Sequence, residues 1–356
     1  MTDSKNIEKL TAEAVELLRE MVSIPSPSFH EDAVCSHISN WLTAKGVEHE
    51  RVGNNIIAEH IVDPSKPTLM LCAHIDTVVP CEGYTFDPYK PENCPTDMIQ
   101  GLGSNDDGAS AVSMIAAFRF FGTCTTIPNI TLVLTCEEER SGKGGMTGLW
   151  GKRLNRIDYA IVGEPTGMKA ATSERGLLVI DATAHGVSGH AARNEGKNAL
   201  YIAMEDIERL RKHEFTKVSP KMGRVNLNVT QIYAGSAHNV IPDRCDFVID
   251  IRPTEQYSNE EILQELQAIC ESELKPRNLA NRSSATKEDS PLQKTAERMG
   301  IETFSSATTS DWMRITCDAI KMGPGESTRS HRKDEFVYID EVRNAIEIYI
   351  EFIEKI

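Results

Sequence analysis

The sequence predicts an α/β protein with a largely parallel sheet flanked by helices and a small α+β sandwich domain inserted into it. In the first half of the chain, short apolar runs typical of buried parallel strands alternate with helical patterns. From about residue 173 the pattern changes to strand–helix pairs that suit a small α+β sandwich. The length of 356 residues also favours two domains, because single cores rarely serve more than roughly 250–300 residues.

The first half contains the elements of the predicted parallel sheet. Ser28-Phe29-His30-Glu31 has the pattern of a capping box, which predicts a helix that ends at Gly46. Short apolar runs predict central strands at residues 68–73 (TLMLCA), 130–136 (ITLVLTC) and 159–162 (YAIV). Residues 107–121 have apolar side chains at helical spacing and small residues for close packing, so we expect a helix there.

The second half contains the predicted insert and the return to the first domain. We expect strands at residues 177–184, 224–233 and 245–251, and helices at 198–212 and 258–273. Residues 274–290 are polar and rich in helix- and strand-breaking residues, which indicates the linker from the insert back to the first domain. Ser290-Pro291 begins a helix, and Asp340 caps a final one. The prediction is a discontinuous domain of residues 1–172 and 285–356, interrupted by an inserted domain of residues 173–284.

Composition excludes several classes of partner. The net charge of −15 and the pI of about 5.2 disfavour nucleic acid and anionic membrane surfaces as partners. No apolar stretch approaches the roughly 18 residues that a membrane span needs. The first residues, MTDSKNIEKL, lack the apolar run of a secretory signal. The nine scattered cysteines form no Cys-x-x-Cys pair, which predicts reduced thiols and a cytoplasmic protein.

Acidic and histidine side chains follow the predicted strands. His74 and Asp76 come after the first strand, Glu137 to Glu139 after the second, and Glu164 after the third. Asp106-Asp107 precede the helix between the first two strands. Each pattern alone has an ordinary structural explanation: a surface histidine, a turn, or a solvated acidic run. Together they would meet at the carboxyl edge of one sheet, where they would repel one another without cations between them.

Five motifs then carry a family resemblance. AHIDTV, GLGSNDDGAS, TCEEERSG, VGEPT and GPGESTRSHRKDEF occur in the order typical of the zinc aminoacylase/exopeptidase family. That family contains acetylornithine deacetylase and succinyl-diaminopimelate desuccinylase. The resemblance covers nearly the whole chain, including NVIPDRCDFVIDIRPT in the insert. It implies hydrolysis of an amide bond with two divalent metal ions.

The resemblance also implies roles for individual residues. His74 and Glu164 would bind one ion, Glu139 and His331 the other, and Asp106 would bridge both. Asp76 would orient the His74 imidazole through its carboxylate. Glu138 would be the general base, and the following Arg140-Ser141-Gly142 favours this register over one in which Glu137 is the base. Two His and three carboxylates suit zinc, while cobalt or manganese would also fit.

Four residues of the insert would bind substrate or act in catalysis. The segment GVSGHAARNEGKNA resembles one in which a histidine, here His190, reaches the other subunit of a homodimer and stabilises the oxyanion. Asn239 and Arg252 match positions that contact substrate, and Arg252 would bind the α-carboxylate bidentately. Arg175 is a weaker candidate, since an ordinary salt bridge explains it equally well.

Three departures from the family pattern affect specificity. Leu102 replaces a usual Arg, Gly108 a usual Lys, and residues 307–311 (ATTSD) a Gly-Gly-Thr-Ser-Asp pattern. We expect a homodimeric hydrolase of N-acyl amino acids, with N-acetyl- or N-succinyl-ornithine of arginine biosynthesis as substrate. The alternatives are a succinyl-diaminopimelate desuccinylase, a small dipeptidase, and a non-catalytic binding protein that metal ions stabilise.

Overall fold

The computed structural model describes residues 4–92, 94–122, 124–193 and 195–356. The chain divides into two compact units. The larger unit consists of Met1–Thr172, Thr286–Phe304 and Ser310–Ile356. The smaller unit consists of Ser173–Ala285 and Ser305–Thr309.

The described residues form eight α-helices and seventeen β-strands, numbered in chain order. The helices are α1 Ser4–Val22, α2 Asp32–Ala44, α3 Ala109–Phe120, α4 Met146–Leu149, α5 Ala199–Lys212, α6 Asn259–Ile269, α7 Pro291–Arg298 and α8 Ile339–Lys355. The first strands are β1 Glu50–Val52, β2 Asn55–His60, β3 Thr68–His74, β4 Met98–Gln100, β5 Asn129–Thr135, β6 Tyr159–Val162 and β7 Ala170–Glu174. The later strands are β8 Leu178–His185, β9 Gly189–His190, β10 Asn226–Ala234, β11 Val240–Ile241, β12 Arg244–Arg252, β13 Glu273–Pro276, β14 Ser284–Ala285, β15 Thr303–Ser306, β16 Asp318–Lys321 and β17 Phe336–Tyr338. Among the described residues, no helix has the length and apolar character that crossing a membrane requires.

The larger unit is built on a sheet with the strand order β1-β2-β5-β3-β6-β16-β7. Its four central strands, β5, β3, β6 and β16, are parallel. β3 and β5 are buried along their whole length, because alternate side chains enter two different cores. Leu69 and Leu71 pack with α1, α3 and α8 on one face, whereas Met70 and Cys72 pack with Trp312 on the other. The carboxyl ends of these parallel strands therefore share one edge.

The smaller unit is an antiparallel sheet of order β10-β12-β8-β13 with a core of its own. Inward and outward side chains alternate along β8 and β12, as expected for a sheet with one buried face. α5 and α6 contribute to the same core as the sheet. A separate two-stranded ribbon pairs β9 with β11. The predicted fold class, a largely parallel α/β sheet with helices together with an α+β insert, is confirmed.

Three predicted boundaries are wrong. Ser28 does not cap α2, which begins at Asp32 after Glu31, because the Ser28 hydroxyl donates to Asp76 instead. The helix that begins after Ser258 ends at Ile269, and Glu273–Pro276 form an edge strand of the insert where the sequence indicated only breakers. The final helix begins at Ile339, one residue before the predicted cap Asp340.

Candidate metal centre

The parallel strands bring the predicted ligands of the larger unit to one edge. His74 is the last residue of β3, Glu164 lies two residues beyond β6, and the Glu137 to Glu139 run follows β5. Asp106 precedes α3, and its backbone is not helical (φ −121°, ψ 98°), so α3 begins only at Ala109. The Asp106–Asp107 peptide bond is cis. This arrangement follows from the rule that sites collect at the carboxyl ends of parallel strands.

The His74 imidazole is buried and hydrogen-bonded through both nitrogens. Its Nδ1 lies 2.9 Å from the carbonyl oxygen of Asp76, which fixes that nitrogen as the donor when the ring is neutral. Its Nε2 lies 3.1 Å from Oδ1 of Asp106, so this nitrogen faces the carboxylates. In the neutral ring Nε2 is therefore the nitrogen available to a metal ion.

The Asp76 side chain contacts both His74 and the turn of glutamates. Its carboxylate lies 3.5 Å from Nδ1 of His74, while the Asp76 carbonyl lies nearer, at 2.9 Å. The carboxylate also accepts the backbone N–H groups of Glu138 (3.0 Å) and Glu139 (3.1 Å), and the Ser28 hydroxyl at 2.7 Å. Asp76 thereby fixes the backbone of the turn that presents the two glutamates.

The three consecutive glutamates point in different directions. Glu137 has a left-handed backbone (φ 60°), and its carboxylate accepts the N–H of Gly144 at 2.8 Å. A Cβ at Gly144 would collide with that carboxylate, so the Gly142 to Gly145 segment must be rich in glycine to hold it. Glu139 lies 3.0 Å from Nε2 of His331. This geometry supports Glu138 and Glu139, rather than Glu137 and Glu138, as base and ligand.

Asp106 lies between the two histidines. Its Oδ1 is 3.1 Å from Nε2 of His74, and its Oδ2 is 3.7 Å from Nε2 of His331. Ligand atoms of His74, Asp106 and Glu139 lie within 4.8 Å of one another, as do those of His74, Glu138 and Glu164. The structure thus brings His74, Asp106, Glu139 and His331 together, and it brings Glu138 and Glu164 to His74.

The electrostatics of this edge fit divalent cations. Burial, and then repulsion from Asp106, raise the pKa of Glu164 well above its usual value. Burial also raises the pKa of Glu138, and the nearby Asp311 and Glu139 carboxylates add to the effect. The bond from Glu139 raises the pKa of His331 to about 9. Carboxylates and imidazoles held this close retain protons that a divalent ion would displace, and they are the donor types that zinc prefers.

The predicted residues of the smaller unit lie in two places. His190 is the last residue of β9 and Asn239 directly precedes β11, and the N–H of Ala191 donates to the carbonyl of Asn239 at 3.1 Å. Both side chains are exposed. Nδ1 of His190 accepts the N–H of Ala192 at 3.1 Å, which leaves Nε2 as the protonated donor of a neutral ring.

The two arginines of the smaller unit are held differently. Arg252, at the end of β12, donates to both carboxylate oxygens of Asp250 at 2.9 and 3.2 Å. Arg175 donates to the carbonyl oxygens of Met222, Arg224 and Arg252. These three backbone contacts support a structural role for Arg175 and leave Arg252 as the stronger candidate for binding substrate.

The departure at Gly108 has a steric explanation, whereas Leu102 is buried and nothing in the structure explains that departure. A Cβ at Gly108 would collide with the carbonyl oxygen of Gly103 and with Leu18. No side chain at position 108 fits this backbone, so the usual Lys is excluded by packing.

Four further residues surround the centre that sequence reasoning missed: Ser28, Asn105, Asp311 and Glu335. Ser28 bonds Asp76, and Asp311 accepts the Thr135 hydroxyl at 2.6 Å at the end of β5. Asn105 and Glu335 bond the segments around Asp106 and His331. Asn105 and Glu335 each lie within a few residues of a predicted ligand, which is the one signal that could have indicated them.

Comparison with known proteins agrees with this geometry. Residues 172–278 match the model of the M20 peptidase dimerisation domain. The chain is 27% identical to succinyl-diaminopimelate desuccinylase of Wolbachia pipientis subsp. Culex pipiens (strain wPip), over 96% of this chain and 92% of that protein. It is 26% identical to acetylornithine deacetylase of Proteus mirabilis (strain HI4320), over 91% of each.

The same fold occurs in a solved structure. The YxeP protein of Bacillus subtilis, a dinuclear metal binding peptidase from the M20 family, matches with a TM-score of 0.76 at 15% identity, over 98% of this chain and 100% of that one. Over nearly its whole length the chain is thus similar to M20 metallohydrolases, the group of enzymes that the sequence motifs indicated.

Proposed function

We propose that this chain uses two zinc ions to hydrolyse the amide bond of an N-acyl amino acid. The observation that carries the proposal is a pair of ligand groups that share His74: Asp106 and Glu139 complete one of them, and Glu138 and Glu164 the other, with His331 3.0 Å from Glu139. His74 and Glu164 would hold one ion, Glu139 and His331 the other, and Asp106 both. Cobalt or manganese would fit the same donors.

Each protein group would have one task in this reaction. Two ions held by these residues would supply a Lewis acid for the amide carbonyl and a water whose pKa is lowered towards about 7. Glu138 accepts the proton of the attacking water and returns it to the leaving amine, a task that suits a carboxylate lying next to the ligands His74 and Glu164. Asp76 holds Glu138 and Glu139 in place through their backbone N–H groups. Arg252 and Asn239 would bind the substrate, and His190 would donate from Nε2 to the oxyanion.

For the substrate we propose N-acetyl- or N-succinyl-ornithine, which would make this a deacylase of arginine biosynthesis. The similarity to acetylornithine deacetylase over nine-tenths of the chain supports an acyl-amino acid as substrate. The similarity to succinyl-diaminopimelate desuccinylase is equally high and makes that reaction the first alternative. Hydrolysis of a small dipeptide is the second alternative.

We also propose that residues 173–284 form a dimerisation domain and that the protein is a homodimer. The family match to residues 172–278 supports this assignment. In the smaller unit, the edge strand β10 exposes Ile232 and Tyr233, and α5, which contacts β10, exposes Tyr201 and Met204. A long edge strand with exposed apolar side chains pairs readily with a second copy. A cytoplasmic location remains a prediction, and it is supported by nine cysteines that are all free thiols.

One experiment tests the function. Metal-free protein is loaded with zinc, cobalt or manganese, and amine release is measured with acetyl and succinyl derivatives of ornithine, citrulline, lysine and diaminopimelate, and with dipeptides. We expect turnover that requires about two ions per chain and is highest with an acyl-ornithine. Glu138→Gln is the matched control, because it should bind both ions without turnover. Metal-dependent stability without turnover of any substrate would favour the non-catalytic alternative.

A further inference from the structure

His331 is the most exposed of the five proposed ligands. Its side chain is 55% exposed, whereas the side chain of its neighbour Glu139 is only 7% exposed. Packing therefore contributes little to the position of the imidazole. The residue also has a left-handed backbone, with φ 57°. Something other than burial must hold the segment that carries it.

The segment before His331 is held by the side chain of Asn105, which is fully buried. Oδ1 of Asn105 accepts the N–H of Glu326 at 3.0 Å. Nδ2 of Asn105 donates to the carbonyl of Glu326 at 3.2 Å and to the hydroxyl of Ser330 at 3.3 Å. The residue that precedes Asp106 thus binds the residue that precedes His331.

The segment after His331 is held in the opposite direction. The buried side chain of Glu335 accepts the N–H groups of Asn105 and Asp106 through Oε1, both at 2.9 Å. The carbonyl of Glu335 also accepts the N–H of Gly101 at 2.9 Å. β17 follows Glu335 directly and pairs with β4, where Phe336 lies opposite Gln100.

We propose that Asn105 and Glu335 are positioning residues that form a reciprocal clamp between the Asp106 loop and the His331 segment. One side chain reaches from the Asp106 loop to the segment, and the other reaches back. Together they set the position of His331 relative to Asp106, and therefore the affinity for the ion that Glu139 and His331 hold. The inference rests on the proposed metal assignment. Outer groups that orient ligands commonly change metal affinity by about 10–100-fold when they are removed.

The test is a titration of metal-free protein with cobalt by calorimetry. His331→Ala first identifies which of the two equivalents depends on His331. Asn105→Ala and Glu335→Leu should then weaken that same equivalent by about 10–100-fold and the other one less. Glu335→Gln keeps an acceptor oxygen in place, so it should weaken the binding of the ion that depends on His331 less than Glu335→Leu does.

Asn129→Ala is the matched control. Asn129 is also a buried amide that holds backbone, since it accepts from Val62 and Asp63 and donates to Asp63 and Lys66. It lies at the start of β5, whereas the centre lies beyond the other end of that strand. Its removal should lower the melting temperature about as much as Asn105→Ala does, with both metal equivalents unchanged.

A double-variant comparison separates positioning from general loosening. In the His331→Ala background, Glu335→Leu should have no further effect on the equivalent that His331 serves. The clamp would be overturned if Asn105→Ala and Glu335→Leu weakened both metal equivalents equally, or if their affinities matched those of Asn129→Ala. It would also be overturned if Glu335→Leu kept its full effect in the His331→Ala background. A wild-type chain that binds fewer than two equivalents would overturn the proposed function, and the inference with it.

Discussion

The proposed metal ligands and the proposed substrate-binding residues are held in very different ways. In the larger unit, His74 and Asp106 are buried, and the carboxylates of Asp76 and Glu335 accept the backbone N–H groups of ligand-bearing turns. In the smaller unit, His190 in β9 and Asn239, just before β11, are exposed. The proposed metal ligands are therefore preorganised within one unit. The exposed His190 ring is held by the N–H of Ala192, so its geometry should depend more on what it binds.

The largest effect should come from the preorganised region. Glu138→Gln should lower kcat by about 10²–10⁴-fold, because the general base is lost, while metal content stays near that of the wild type. Glu139→Gln should instead reduce the metal content. Activity assays combined with metal analysis distinguish the two.

Glu137→Gln is the control within the same run of glutamates. Its carboxylate is bound by the N–H of Gly144, so its loss should affect stability more than turnover. A metal-replete but inactive Glu137→Gln enzyme would contradict the register proposed for the base.

His190 should give the largest effect in the smaller unit. His190→Ala should lower kcat by about 10²–10³-fold, the usual result of removing one oxyanion donor. If His190 acts across a dimer, mixing His190→Ala with Glu138→Gln should restore activity. Random pairing makes about half of the dimers mixed, and one site in each is complete, so about a quarter of wild-type activity should return.

The control for this mixing experiment is the mass of the dimers. Native mass spectrometry must detect mixed dimers in the expected proportion. Mixed dimers without activity would mean that His190 acts within its own chain or has no catalytic role.

The position of each ligand relative to the strands determines how far it could be predicted from the sequence. His74 and Glu164 were predictable because His74 ends one apolar strand and Glu164 lies two residues beyond another, and parallel strands end at one edge. The roles of the three glutamates were harder, because only the left-handed backbone of Glu137 turns its carboxylate away. The family motif favoured the same register, but no local pattern in the run required it.

Hydrogen bonds between residues far apart in the chain could not be predicted from the sequence. Ser28 and Glu31 have the spacing of a capping box, yet Ser28 bonds Asp76, 48 residues away. Glu335 bonds the backbone of Asp106, 229 residues away. Such pairs carry no signal in one sequence, because either side chain would suit a solvated loop. Leu274 lies in a stretch rich in turn-forming residues, and it is part of an edge strand because β13 pairs with β8.

Arg252 should show a smaller effect, on recognition rather than on turnover. Arg252→Ala should raise KM by about 10–100-fold, since a hydrogen bond to a charged group contributes about 1.5–3 kcal/mol. Preference for a free over an amidated α-carboxylate should disappear. Arg252→Lys should recover only part of the effect, because an ammonium lacks the planar donor pair.

The measurement is kcat and KM for matched substrates with free and amidated carboxylates. An Arg252→Ala enzyme that still discriminates between them would assign the carboxylate to another group. Asp250, which binds the guanidinium of Arg252, would then have only a structural role.

The smallest effect on function should come from Arg175, although it was also a candidate for substrate binding. Its guanidinium joins the carbonyl of Arg252 to those of Met222 and Arg224. Arg175→Leu should therefore lower the free energy of unfolding by about 1.5–3 kcal/mol, while carboxylate discrimination is retained. Arg224→Leu is the matched control, because it removes only an exposed ion pair with Glu214, and such pairs contribute at most about 1 kcal/mol. Denaturant unfolding of both variants, together with KM for the free and amidated substrates, makes the distinction. Loss of discrimination in Arg175→Leu at unchanged stability would reverse the roles assigned to the two arginines.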